Sequence, residues 1–255
     1  MKDEMIENIE NNKQKKAKKT ASWAIIMKRE LKSFFTGPMA WVVGIAFTLV
    51  SGILFFTTFF LNRMAEMRAF FQYLPYYFAF FVPAITMRVF SEENKSGSFE
   101  TLVTLPVTST DIVLGKYLAS FISTLALLVP SLFYVIALYI AGSPDLGPLA
   151  GGYIGAVFLA AAFSSIGVYS SSLAGNQIIS FIVSLGICAF LVLVDIFLAF
   201  VPSGLASLVS FISARSHFLS VSRGIIDSRD IIYFLSVTAL CLVLTVRKIT
   251  KARRA

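Results

Sequence analysis

Apolar residues in this chain gather into blocks about twenty residues long, separated by short polar segments. A bilayer hydrocarbon core of about 30 Å takes about 20 helical residues to cross. Six such blocks lie at about 39–61, 69–90, 112–140, 149–173, 178–201 and 230–246. Composition points the same way: 57% of residues are hydrophobic and 14% charged, against about 25% charged in an ordinary soluble domain. The expected fold is an all-α polytopic membrane protein with six transmembrane helices.

The net charge of +8 is read as lipid contact and topology rather than nucleic-acid binding, because the lysines and arginines cluster at membrane-proximal ends. Cys188 and Cys241 both fall within apolar spans and read as small buried residues. With His217 the single histidine, no histidine-based metal cluster is expected. Residues 1–20 form a lysine-rich tail expected to be disordered. They lack a signal peptide's apolar stretch, so the first span is expected to act as an uncleaved insertion signal.

Residues 21–36 read as an interfacial helix. Trp23, Ile26, Met27, Leu31, Phe34 and Phe35 recur at helical spacing on one side, with Lys28, Arg29 and Lys32 on the other. That pattern predicts an amphipathic helix lying in the membrane surface, its apolar face in lipid and its cations at the headgroups. Gly37-Pro38 is expected to separate it from the first span. Residues 37–246 make up the spanning domain, and 247–255 a basic tail.

Between the second and third blocks lies the most polar interior segment, "SEENKSGSFETLVTLPVTSTDIVLGK", residues 91–116. Its end reads as a helix start, with Thr108 as cap and Asp111 three residues on. The fourth block is dense in Gly, Ala and Ser, with Gly151 and Gly155 spaced for close helix approach. Residues 202–228 predict a short helix at the outer interface carrying Leu205, Leu208, Val209, Phe211 and Ile212. Seventeen lysines and arginines fall on one set of connecting segments and five on the other. This bias predicts both termini on the cytoplasmic side.

Catalytic patterns are missing. "LGK" at 114–116 lacks the upstream glycine and the following Ser/Thr of a phosphate-binding loop. No nucleophile–base pair is evident. Within the spans Asp195 stands out as an ionisable residue: either an intramembrane polar site with no evident intramembrane partner, or a carboxylate near the outer boundary, hydrated or hydrogen-bonded to a neighbouring helix. The chain is therefore expected to draw energy from outside itself. Phe99, Leu102 and Val103 can form an apolar knob ringed by Glu92, Glu93 and Glu100, suited to docking a partner.

Three stretches carry a family resemblance: "MKRELKSFFTGPMAWVVGIAFTLVSGILFF" (27–56), "TMRVFSEENKSGSFETLVTLPVTSTDIVLGKYLASF" (86–121) and "HFLSVSRGIIDSRDIIYFLSVTALCLVLTVRKI" (217–249). The chain resembles the permease subunits of type-2 ABC transporters, most nearly the gliding-motility-associated and related short bacterial permeases. The resemblance implies a non-catalytic membrane subunit in the bacterial cytoplasmic membrane, paired with a second permease, identical or related. It implies separate ATPase subunits that hold ATP and Mg, so that this chain needs no cofactor. Residues 91–106 correspond to a cytoplasmic coupling helix, with Glu92, Glu93, Ser96, Gly97, Glu100, Thr101, Leu105 and Pro106 at matching positions. Residues 202–228 correspond to short outer helices. A membrane scaffold driven by an ATPase, serving an envelope or motility assembly, is the alternative.

Overall fold

The computed structural model describes residues 22–62, 66–98, 107–142, 145–199, 203–225 and 227–253. The predicted tail of residues 1–20 lies outside them. α-Helices dominate, and no strand occurs among the described residues. Six helical stretches are long and apolar enough to cross a membrane. The chain is an all-α, multi-pass membrane protein.

Helix α1 covers residues 22–36 and is followed by a bend at Gly37. Helix α2 (Pro38–Asn62) starts at once, with proline at the first helical position, where its missing N–H costs nothing. Across this corner the Trp41 indole donates to the Phe35 carbonyl at 3.2 Å. One side of α2 stays exposed through Trp41, Ile45, Ile53 and Phe60, a face suited to lipid. Helix α3 (Arg68–Thr86) is mostly buried and is followed by a turn and the short helix α4 (Ser91–Ser96). Gly97 closes α4 with φ 71°, a left-handed cap that favours glycine.

The third span is not one continuous helix. Helix α5 (Ser109–Leu128) passes through a 3-10 turn at Val129–Ser131 into α6 (Leu132–Ala141). Pro130 supplies no N–H to the ladder, and the Ser131 hydroxyl takes up the Leu128 carbonyl at 2.7 Å. Thr108 caps α5 by accepting the Asp111 N–H at 3.2 Å. Tyr134 of α6 stacks on Phe55 of α2, centroids 4.8 Å apart, and donates to the Thr48 carbonyl at 3.1 Å.

Helix α7 (Leu146–Leu173) is the centre of the bundle and packs against both α3 and α5. Its small residues explain this. A Cβ on Gly152 would lie 2.3 Å from the Phe71 ring, and one on Gly167 would lie 1.9 Å from the Thr86 hydroxyl. Both neighbours belong to α3, so α3 and α7 approach closer than any larger residue allows. Thr124 of α5 and Ser164 of α7 bond at 3.0 Å, and Thr124 also returns a bond to the Ser120 carbonyl, so these hydroxyls are satisfied away from water.

Helix α8 (Gln177–Leu193) is capped by Asn176, which accepts the Ile179 N–H at 2.8 Å. The α-helix stops well short of residue 201 and continues as a 3-10 segment, Val194–Ala199. Residues 202–228 hold two helices rather than one: α9 (Ser203–Ile212) and α10 (Ala214–Ser222). Ser213 separates them, its side chain accepting the Ser216 N–H at 3.1 Å. The last helix, α11 (Ser228–Ala252), overruns the apolar block at its C-terminal end and absorbs most of the expected tail. Arg247, Lys248 and Lys251 are good helix formers, and cations suit a helix C-terminus. Helices α8, α10 and α11 all pack on α7.

Candidate functional site

Where α1, α4 and α5 meet, a lysine is fully enclosed. Lys116 sits in the second turn of α5 and is 1% exposed. A buried ammonium is costly unless its three donors are taken. Here its Nζ donates to the Val89 carbonyl at 2.7 Å, to Glu93 Oε1 at 2.9 Å and to Glu30 Oε1 at 3.1 Å. The cation also lies 5.0 Å from the centre of the Phe90 ring. Arg29 completes a four-charge group, 2.9 Å from Glu30 and 3.5 Å from Glu93. The group is formally neutral, with two cations against two carboxylates.

The group is drawn from three helices, each held in place for its own reason. Helix α1 lies directly on α5: a Cβ on Gly115 would be 2.7 Å from the Trp23 carbonyl and 2.9 Å from Ile26 Cβ. Helix α4 hangs from the end of α7. The N–H groups of Phe90 and Ser91 both donate to Ser171 Oγ, at 2.9 and 3.1 Å, and Ser171 donates onward to the Met87 carbonyl. The Asn94 amide donates to the Ala174 carbonyl at 3.0 Å. Beneath, Phe90, Ile112, Val113, Val168 and Ile249 form a small apolar cluster, with Ile26 packed against it. Burial works to raise the Glu30 pKa, but attraction to Lys116 and hydrogen bonds from Arg29 and Lys116 outweigh it. The carboxyl is held below its ordinary range.

The residues singled out in the sequence are distributed as follows. Glu92 and Glu93 stand on α4, where Glu93 joins the charge group and Glu92 is exposed. Ser96 is exposed and bonds Ser98 at 2.8 Å. Phe99, Glu100, Thr101, Leu102, Leu105 and Pro106 lie outside the described residues. On α1, Trp23, Ile26, Met27 and Leu31 are half-buried and Phe34 is buried. The apolar face is thus turned partly onto the protein instead of wholly into lipid. Arg88 caps the Phe34 ring at 5.1 Å. Likewise Arg29 reaches protein carboxylates as well as the surface. In the sequence Lys116 stands out only as the lysine of "LGK" and as part of the family-like stretch 86–121, with nothing to mark it as buried and ion-paired. Glu30 is the one acid in 22–36, and that lone acid in a basic helix was the available signal.

By connectivity the opposite end of the bundle holds the other polar group. Asp195 does have partners: Arg215 pairs with it, and the Ser216 hydroxyl donates to its Oδ1 at 2.7 Å. Both come from α10, which explains why a carboxylate is tolerated here. His217 lies in α10, with Nδ1 2.6 Å from Asp230 Oδ1 and Nε2 3.0 Å from the Phe211 carbonyl. It stacks on Tyr233 at 4.2 Å, and the Tyr233 hydroxyl donates to the Ile212 carbonyl at 2.6 Å. The end of α9 is therefore tied to α11. A cavity of about 820 Å³ opens beside Asp195 and Arg215, with Arg68, Gln72, Asp145 and Arg223 also on its wall.

Against known families, residues 39–251 match the one described as ABC-2 family transporter protein. No curated protein matches the chain.

Proposed function

The chain belongs to the ABC-2 transporter family, and on that footing we propose that it is the permease through which separate ATPase subunits drive a substrate across the cytoplasmic membrane. Membership makes it a membrane component of an ABC transporter. The proposal adds the route of coupling. Helix α4, with the segment that follows it, is a cytosolic lever gripped by the ATPase, which holds ATP and Mg. A second permease, identical or related, completes the pathway.

One observation supports this route above the others: Lys116 bonds α4, α1 and the start of a spanning helix through a single buried atom. A displacement of α4 has to carry Glu93, and Glu93 is tied to Lys116. Because close-packed helices move as units, the third span and the surface helix would follow. The lysine and arginine distribution supports placing this end in the cytosol.

Co-expression with an ABC-class ATPase tests the reading. The two should co-purify, and changing Phe99 and Leu102 to Asp should abolish that association while the permease stays folded. Proteoliposomes holding both should show ATP-dependent movement of a substrate. Labelling of a cysteine at position 95 from the non-cytosolic side would overturn the reading. Intact ATPase assembly without any transport would favour the scaffold.

A further inference from the structure

We propose that the cavity at the Asp195 end is a binding site for an anionic amphiphile, a molecule with a phosphate or carboxylate head and an apolar body. The inference goes beyond the transport reading and does not depend on it, since the bound molecule can be cargo or a resident lipid.

Size comes first. About 820 Å³ falls within the roughly 300–1,000 Å³ usual for small-molecule sites. Its wall carries three acids (Glu66, Asp145, Asp195) and three arginines (Arg68, Arg215, Arg223). Formal charge therefore balances, but the pairing is uneven. Asp195 uses both oxygens, on Arg215 and Ser216. Asp145 caps α7, accepting the Gly147 N–H at 3.1 Å. Glu66 and Arg68 face each other loosely, at 3.9 Å. The Arg223 side chain has no hydrogen-bond or ion-pair partner among the described residues, and a guanidinium offers five donors. No carboxylate of the wall pairs with Arg223, and an oxyanion would do so with bidentate geometry.

Arg223 is also held in position. A Cβ on Gly151 would lie 2.4 Å from the Val221 carbonyl, so the end of α10 rests directly on α7. Gly224, at φ 87°, donates to that same carbonyl at 3.0 Å and turns the chain just past Arg223. The apolar part of a ligand would meet Phe71, Leu149, Leu219 and Ile225, which share the wall.

The test is direct binding to the full chain in phosphatidylcholine nanodiscs, with hexyl phosphate as probe and hexanol as its neutral counterpart. Hexyl phosphate should bind saturably and hexanol should not. Arg223→Gln and Arg68→Gln, both at exposed positions, should each weaken binding about tenfold, the size expected for one charge-assisted bond. Asp145→Asn keeps a capping side chain and should tighten it. Arg229→Gln, off the cavity wall, should change nothing. Equal binding of hexanol, or wild-type affinity in both arginine variants, would overturn the proposal. Native mass spectrometry of the purified chain then separates the sources. A retained anionic lipid that Arg223→Gln releases marks a lipid site; no retained lipid beside tight hexyl phosphate binding marks a soluble ligand.

Discussion

Lys116 Nζ lies 3.1 Å from Glu30 Oε1, although 86 positions separate the two residues. The bond joins a surface helix to the first turns of a spanning helix, and Glu93 of α4 shares the same nitrogen. Lys116 therefore has no solvent to fall back on, and its partners cannot be lost one at a time without cost.

Lys116→Met should destabilise the chain by about 3 kcal/mol, the lower end for breaking a buried pair, because Glu30 and Glu93 keep 23% and 17% of their side chains exposed. A melting curve in detergent reads this. Adding Glu30→Gln and Glu93→Gln to that variant should restore part of the loss. A triple variant less stable than the single one would contradict the network.

Acid should loosen the same contact. The folded-state pKa of Glu30 is lowered from 4.5, so its stabilisation is complete above about that value and disappears as pH falls through the depressed one. Hydrogen exchange across residues 22–36 should rise below pH 4.5 in the wild type. In Glu30→Gln the exchange should already be high at pH 7 and change less on acidification.

The cations of α1 are predicted to be unequal. Arg29 reaches Glu30 and Glu93, whereas Lys28 and Lys32 are exposed. Arg29→Glu should expose α1 to protease even in neutral lipid. Lys28→Glu and Lys32→Glu should do so only where anionic lipid had been holding the helix. Identical responses from all three would leave surface charge as the sole anchor.

Gly115→Val tests the seat of α1. Even the first added carbon would meet the Trp23 carbonyl at 2.7 Å and Ile26 at 2.9 Å, so the helices must part. The expected result is loss of α1 protection with the six spans still inserted, read by proteolysis of membranes. Unchanged protection would place the α1–α5 contact elsewhere.

At the far end, Asp195→Asn and Arg215→Gln should not add. Each single change leaves one charged partner inside the protein, while the double change removes both. Thermal melts of the cycle should show a coupling of about 1 kcal/mol or more. Simple additivity would mean that the pair contributes nothing.

Much of the architecture was legible because partitioning into lipid depends on runs of neighbouring residues. Six apolar blocks predicted six spans, and Gly37-Pro38 and Thr108 marked helix boundaries that the structure uses. The omissions are of two kinds. The sequence does not name a partner for Asp195, because Arg215 is 20 positions away. Lys116 seemed incidental because its acids lie 86 and 23 positions away. The break at Pro130, the boundary at Ser213 and the extension of α11 to Ala252 have local causes, a missing N–H, a capping hydroxyl and good helix formers, that the pattern of apolar blocks does not register.

Local hydrophobicity by itself determined that this chain enters a membrane six times, since each crossing is settled within a window of about twenty residues. Which charges neutralise one another was decided only by the tertiary structure. A buried lysine demands a carboxylate, but nothing in the demand names one. Glu30 and Glu93 were chosen by steric facts, the missing side chain at Gly115 and the hydroxyl of Ser171, that bring distant backbones within bonding distance.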